Sequence, residues 1–357
     1  MKKIPVGIIG ATGMVGQRFV TLLKNHPFFD IVALAASPRS VNQKYQQAVK
    51  GRWVMSEPIP KSIKNIRVMG VEKDLEEIAK RVELVFSALD MEKEKIRSVE
   101  DGFANLGVVV VSNNSAHRWT KDVPMIMPEI NPQHLKLIKH QQENHGWKRG
   151  FVVVKPNCSI QSYVPMLTPL LKYGIKKVVV TTLQAVSGAG KILKDWPQMQ
   201  ENLIPNIPGE EEKSEIEPSK IWGKLIDGQI KLTGPAISAT CIRVPLEDGH
   251  MAAVAVSFKK KVSKKQIINE WKKFNPLKFL KLPSAPNPFI TYFEEDDRPQ
   301  TKLDRNLEDG MGIAAGRLRE DGEGFKFIGL SHNTIRGAAG GAILTAELLM
   351  KKGYIDG

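Results

Sequence analysis

The sequence predicts an α/β protein in two parts: an N-terminal parallel sheet wound with helices, then an α+β part built on a mixed sheet. Three observations predict it. From residue 4 onward short apolar runs alternate with amphipathic ones, whereas beyond Cys158 strand-like runs crowd together with fewer helices between them. The chain of 357 residues also exceeds the span of about 100–200 that one domain ordinarily takes.

Val6 to Ile9 reads as the first strand and Gly13 to Lys24 as its helix, with Val15, Phe19, Leu22 and Leu23 on one face. Ile31 to Ala36, Glu83 to Leu89 and Gly107 to Ser112 read as further strands, each followed by polar or helical sequence. Phe151 to Val154 is another, and an amphipathic stretch from Tyr163 to Tyr173 follows it. In the second part, "KKVVVTTLQAVSGAG", "AISATCIRVPLEDGHMAAVAVSF" and "GMGIAAGRL" are strand-rich, and "IPNIPGEEEKSEIEPSK" reads as a polar loop insertion. A final helix over residues 341–352 has the Ala, Leu and Met content of a packing element. The expected division is residues 1–157, completed by 334–357, and residues 158–333.

With 42% hydrophobic and 25% charged residues and no long biased tract, the chain reads as globular rather than disordered. Two cysteines make no disulfide framework, so a reducing compartment, the cytoplasm, is expected. No Cys/His cluster has metal-site spacing, and no apolar run nears membrane-spanning length. The net charge of +14 invites a nucleic-acid reading, yet the lysines are scattered and not gathered with aromatics. A basic average also suits an enzyme of anionic substrate and cofactor.

"GIIGATGMVG" places Gly10, Gly13 and Gly16 between a strand and a helix, with Thr12, Met14 and Val15 completing the turn. Glycines there allow a tight turn and let main-chain N–H groups approach a pyrophosphate at the helix N-terminus. The context raises the motif to a Rossmann-type dinucleotide-binding expectation, although G-x-x-G-x-x-G departs from the commoner G-x-G-x-x-G. At the end of the second strand, where an acid would hold the ribose hydroxyl of NAD, the sequence reads "ASPRS". Ser37, Arg39 and Ser40 are donors suited to a 2′-phosphate, so NADP is the expected cofactor.

"KPNCSIQ" carries Cys158 where a strand ends and a helix begins, a place where orphan N–H groups lower a thiol pKa. On that segment alone it is a nucleophile or a buried small residue in equal measure. Cys241, inside a strand-like run, reads as core. Of seven histidines, His26, His134, His140 and His145 lie on helical or polar stretches and read mostly as surface residues. His250 follows a tight "LEDG" turn seven residues after Arg243, so a cation and a titratable ring bracket one hairpin.

Taken together, "GATGMVGQRF", "SNNSAHR", "PNCS", "TTLQAVSGAG", "GEEEK", "RVPLEDGH" and "SHNTIRGAAGGAILTAELL" make the chain resemble aspartate-semialdehyde dehydrogenases, the archaeal and fungal branch, from end to end. The resemblance implies Cys158 as acyl-accepting nucleophile, His250 as acid/base and Gln184 as the residue orienting the acyl group. It implies Arg243 on the substrate carboxylate, Glu210 on its amino group, and Lys213, Arg118 and Asn157 on the phosphate. On the cofactor side it implies Ser87, Ser187, Gly188 and Asn333. One departure is Ile160, where the family often has threonine.

The chemistry so implied is NADPH-dependent reduction of L-aspartyl-4-phosphate to L-aspartate 4-semialdehyde through a cysteine thioester, in a homodimer or homotetramer. Rival readings are an acyl-CoA reductase of malonyl-CoA type, an N-acetyl-glutamyl-phosphate reductase, and a dinucleotide-sensing protein without turnover.

Overall fold

The computed structural model describes residues 2–355; Met1 and residues 356–357, the end of the segment expected to complete the first part, lie outside them. Six parallel strands form the first sheet: β1 (Ile4–Ile9), β2 (Phe29–Ala36), β3 (Val68–Gly70), β4 (Leu84–Ser87), β5 (Val109–Ser112) and β6 (Phe151–Val154). Their order is β3-β2-β1-β4-β5-β6, with the strand order reversing beside β1 as in a doubly wound dinucleotide-binding sheet. Because helices cover both faces, the strands read as continuous apolar runs. Successive residues nonetheless serve different cores. Val109 and Val111 pack with Phe19, Phe86 and the C-terminal helix, whereas Val110 faces Val99 and Phe103.

The helix Met14–Leu22 follows the glycine turn, and the helix Lys93–Asn105 buries Ile96, Val99 and Phe103. The helix Gly340–Lys351 is buried from Gly340 through Leu349, so its all-round apolar composition reflects burial on every side. It packs on the first sheet although it follows the second in sequence.

A two-stranded ribbon, β8 (Lys224–Ile226) and β9 (Gln229–Lys231), stands apart. The second sheet contains β7 (Ile175–Gln184), β10 (Ala236–Arg243), β11 (His250–Phe258), β12 (Ile290–Tyr292), β13 (Ile313–Asp321) and β14 (Gly324–Ser331), in the order β10-β7-β11-β14-β13-β12. It is mixed, as expected: β10 and β7 run parallel, and β7, β11 and β14 are antiparallel neighbours. On one face Phe327 meets Trp271 and Met166, which helices bring to the core. The other leaves Val179 41% exposed.

Three expectations need correction. The stretch from Tyr163 to Tyr173 is a short α-helix, Val164–Leu167, passing into a 3₁₀ segment, Thr168–Tyr173. Pro169 supplies the reason, since it has no N–H for the α-helical ladder. Within the polar insertion, Glu210–Ile221 is a helix. Three acidic residues occupy its first turn, where the helix dipole favours them. His26 and His134 are buried, not superficial: His26 Nε2 lies 3.0 Å from Glu347, and His134 Nε2 2.8 Å from the Gly223 carbonyl.

Just before the C-terminal helix, Arg336 makes a bidentate pair with Glu129 at 2.5 and 2.7 Å, each side chain 1% exposed. Removing one charge of a buried pair strands the other. Glu129→Gln should therefore cost ~3–5 kcal/mol, read as a lowered thermal midpoint, and a cost under about 1 kcal/mol would contradict this bracing role.

Candidate active site

The glycine turn is tight for steric reasons. Gly10 has φ +85°, and a Cβ there would lie 2.2 Å from the Ala88 carbonyl oxygen; one on Gly16 would lie 2.2 Å from the Gly10 oxygen. Gly13 caps the helix and Met14 and Val15 begin it, while the Thr12 carbonyl accepts from Gln17 Nε2 at 3.0 Å. Beyond β2, Ser37 and Arg39 are exposed on a 3₁₀ turn, free to meet an anion. Ser40 points inward instead, buried, with its hydroxyl facing Arg52 Nη2 at 3.4 Å. Ser87 is also turned inward, accepting from Asn114 Nδ2 at 2.8 Å.

β6 ends at Val154, and the chain turns through Pro156 and Asn157 into a 3₁₀ segment, Ser159–Ser162, with Cys158 at its start. Asn157 shapes this turn. Its Oδ1 accepts from the Ser159 N–H and hydroxyl at 2.7 and 2.8 Å, its Nδ2 donates to Glu210, and its main-chain N–H donates to Glu217 at 2.6 Å. Ile160 is fully buried, so the turn needs no hydroxyl at that position.

The second sheet delivers the partners. The parallel register sets Gln184 opposite Arg243 at the ends of β7 and β10, and β11 begins at His250. His250 Nε2 lies 3.5 Å from Cys158 Sγ. Beyond β7, Ala185 donates its N–H to His250 Nδ1 at 3.1 Å and accepts from Arg243 Nη1 at 2.7 Å, so one residue orients both. Gly188 gives them room: a Cβ there would sit 2.9 Å from Arg243 Nη1 and 3.0 Å from His250 Nε2. Asn333 joins the two loops, accepting from the Gly249 N–H and donating to the Ser187 hydroxyl, both at 2.8 Å.

Lys213 Nζ lies 2.8 Å from Glu210. Arg118 donates to Glu217 at 2.8 Å, to the Lys155 carbonyl at 3.0 Å and to the Asn113 carbonyl at 3.2 Å. A cleft of about 280 Å³ brings Cys158, Asn157, Arg118, Glu210 and Lys213 together with Val15, Ser187, Gly188 and Asn333. The lining does not include Gln184, Arg243 or His250; the ring of the last meets the cleft only through Cys158 Sγ. Gln184 is buried, and its Nε2 donates to Thr182 Oγ1 at 3.1 Å along its own strand.

Three groups were missed by sequence reasoning. Ala185 acts through its main chain, which no side-chain motif reveals. Glu217 was discoverable, since Glu210, Lys213, Ser214 and Glu217 share one helix face at i, i+3, i+4 and i+7. Lys155, adjoining the nucleophile motif, is buried with its ammonium nitrogen 3.2 Å from the Pro156 carbonyl; burial first, then Arg336 and Arg118, lowers its pKa to about 7.

The thiol expectation is corrected in sign. Burial and then Glu210 raise the Cys158 pKa, outweighing Lys155, Arg118 and Arg243. Burial and Arg243 lower that of His250 to about 3. Glu210 goes down: burial would raise it, but Lys213 and Asn157 prevail. Iodoacetamide should therefore label Cys158 of the free protein with a midpoint above the ordinary thiol value of about 8.5, and a lower midpoint would contradict this balance. Below about pH 6.5 an unfolded histidine takes up a proton that native His250 refuses, so stability should fall as pH drops from about 6.5 towards 3. Thermal melts across that window check it, and His250→Gln should flatten the slope.

Comparison with known proteins follows the same geometry. Residues 5–138 match the model of a semialdehyde dehydrogenase NAD binding domain, and residues 167–336 that of a semialdehyde dehydrogenase dimerisation domain. An aspartate-semialdehyde dehydrogenase of Archaeoglobus fulgidus is 45% identical over 98% of this chain and 99% of its own length. One of Saccharomyces cerevisiae is 40% identical over 99% of both. The crystal structure of the Candida albicans enzyme with NADP superposes with a TM-score of 0.88 at 36% identity, covering 99% of this chain and all of that one. The chain therefore belongs to the aspartate-semialdehyde dehydrogenase family.

Proposed function

We propose that the chain reduces L-aspartyl-4-phosphate to L-aspartate 4-semialdehyde with NADPH, through a thioester on Cys158. The supporting observation is the Cys158–His250 pair, 3.5 Å apart, with the sulfur in a cleft that Val15 of the glycine-turn helix also lines. The cradle of Gly10 and Gly16 fits a pyrophosphate, and exposed Arg39 and Ser37 fit a 2′-phosphate. NADPH bound there supplies the hydride.

Cys158 attacks the acyl carbon. Lys213 and Arg118 face the cleft and offset the charge of the departing phosphate, with Asn157 holding the turn that aims the sulfur. Arg243 receives the substrate carboxylate, Glu210 its amino group, and His250 Nε2 faces both sulfur and acyl oxygen. Ser187, Gly188 and Asn333 line the side next to the glycine-turn helix. The seam at residues 157–158 divides a cofactor-binding part from a catalytic one. The Glu210–Lys213 pair favours an aminated, phosphorylated substrate over malonyl-CoA. The open face of the second sheet, with Val179 exposed, suits association into a homo-oligomer, and a working thiol suits the cytoplasm.

Aspartate semialdehyde with phosphate should drive reduction of NADP, read at the nicotinamide absorbance band, while malonyl-CoA should not oxidise NADPH. Cys158→Ser should abolish turnover, and full activity in that variant would defeat the proposal. Arg39→Ala should raise the NADPH KM about tenfold to a hundredfold, the worth of a lost charged hydrogen bond, and leave NADH unaffected.

A further inference from the structure

We infer that Lys155 is a positioning residue for charge: its ammonium, held beneath the Cys158 turn without a carboxylate, is the cation set against the thiolate of Cys158, and the chain keeps it there at a cost in stability. The inference deepens the proposed reaction and rests on the assignment of Cys158 as the reacting thiol.

Among the described residues two lysines are buried, Lys155 and Lys220, and they are satisfied differently. An ammonium has three hydrogens to place. Lys220 Nζ meets the carbonyls of Arg118, Thr120 and Val123 at 2.6, 3.4 and 3.1 Å, one acceptor for each. Lys155 Nζ meets the Pro156 carbonyl at 3.2 Å, and its other two hydrogens have no acceptor among the described residues. The first lysine is a brace for the loop it holds. The second is not explained by what it binds.

Its surroundings add to the cost. The side chain runs against the start of the C-terminal helix, where a Cβ on Gly341 would lie 2.6 Å from Lys155 Cε and 3.4 Å from Cδ. The first turn of that helix carries no acid, and a cation is disfavoured at the positive end of a helix dipole. Arg118 Nε donates to the Lys155 carbonyl at 3.0 Å, so one guanidinium adjoins the residue itself. Both Arg118 and Arg336 oppose a further positive charge, and the carboxylates nearest them, Glu217 and Glu129, are already committed. Methionine would fill the same space without these costs.

The group that favours the charge most is Cys158. A Cβ on Gly337 would lie 2.8 Å from that of Cys158, so one helix start seats both side chains. Among the groups facing Lys155, the Cys158 sulfur does most to raise its pKa, ahead of Glu217, against burial, Arg336 and Arg118. In return Lys155 leads Arg118 and Arg243 in lowering the thiol, against burial and Glu210, with His250 Nε2 facing the sulfur at 3.5 Å. When the thiol gives its proton to solvent, the charge on sulfur draws a solvent proton onto the Lys155 amine. Thiolate and ammonium form together, and the net charge of the pair is unchanged. Lys155 does not line the cleft, so it acts through the sulfur and not on the substrate.

The pH profile of iodoacetamide labelling at Cys158 reads this charge directly. Lys155→Met should move the midpoint up by about one unit, the ordinary effect of losing a nearby cation. It should also raise the thermal midpoint at pH 7 by about 2–4 °C, because an underpaired buried cation is removed. Lys155→Gln separates charge from bracing, since its amide can still donate to the Pro156 carbonyl; it should label like the Met variant. An unshifted midpoint in either variant, or a Met variant that melts lower than the unsubstituted protein or fails to fold, overturns the inference. In turnover both variants should lose about tenfold in kcat/KM for aspartate semialdehyde at neutral pH, the worth of that one unit, with the NADP KM unchanged; full kcat/KM in both also overturns it. Labelling needs only the thiol, so it decides the inference even if turnover survived Cys158→Ser, a result that would instead defeat the proposed reaction.

Discussion

The site depends on charge being compensated in a place where water cannot do it. Lys155, Arg118, Arg243 and Arg336 are all buried within the shell that surrounds Cys158 or its turn, and such charges are tolerable only when paired. Glu129 answers Arg336, Glu217 answers Arg118, and Glu210 takes Lys213 and the Asn157 amide. Lys155 and Arg243 have no carboxylate within salt-bridge distance among the described residues; each leans on a main-chain carbonyl, and burial lowers the pKa of both. The same carboxylates that neutralise the cations also hold the Cys158 turn, since Glu217 receives the Asn157 N–H and Glu210 its side-chain amide.

The C-terminal helix explains why two sheets can share one sulfur. It belongs by sequence to the end of the chain and by packing to the first sheet. Arg336 beside it reaches Gln161, three residues past Cys158. Gly337 and Gly341, one turn apart, admit the Cys158 and Lys155 side chains: a Cβ on the first would lie 2.8 Å from Cys158 Cβ, and one on the second 2.6 Å from Lys155 Cε. "RGAAGG" is therefore a seat for the Cys158 turn as well as the start of a helix.

What the sequence disclosed follows from the range of the forces involved. The strand, glycine turn and helix at residues 4–22 are local, and their periodicity and steric demands are written in consecutive residues. Cys158, His250 and Arg243 were legible through motifs that also sit on short loops. The helix Glu210–Ile221 was obscured by Pro205 and Pro208 before it and Pro218 within it, and its buried Glu217 by being charged. His26 and His134 appear polar and local, yet each is buried by a partner far along the chain, Glu347 and Gly223. The sign of the Cys158 shift was unreadable for the same reason. A turn N-terminus is visible in sequence, but the desolvation and the Glu210 carboxylate that outweigh it come from the fold.

The Cys158–His250 pair shows how one environment moves two groups in opposite directions. Burial and Glu210 raise the thiol, whereas burial and Arg243 lower the imidazole, so desolvation favours the neutral form of each. Ala185 ties the pair to the cation that helps to set it, since its N–H meets His250 Nδ1 and its carbonyl holds Arg243. The position of the ring and the position of the guanidinium are therefore set by one main-chain residue, and neither can shift without disturbing the other.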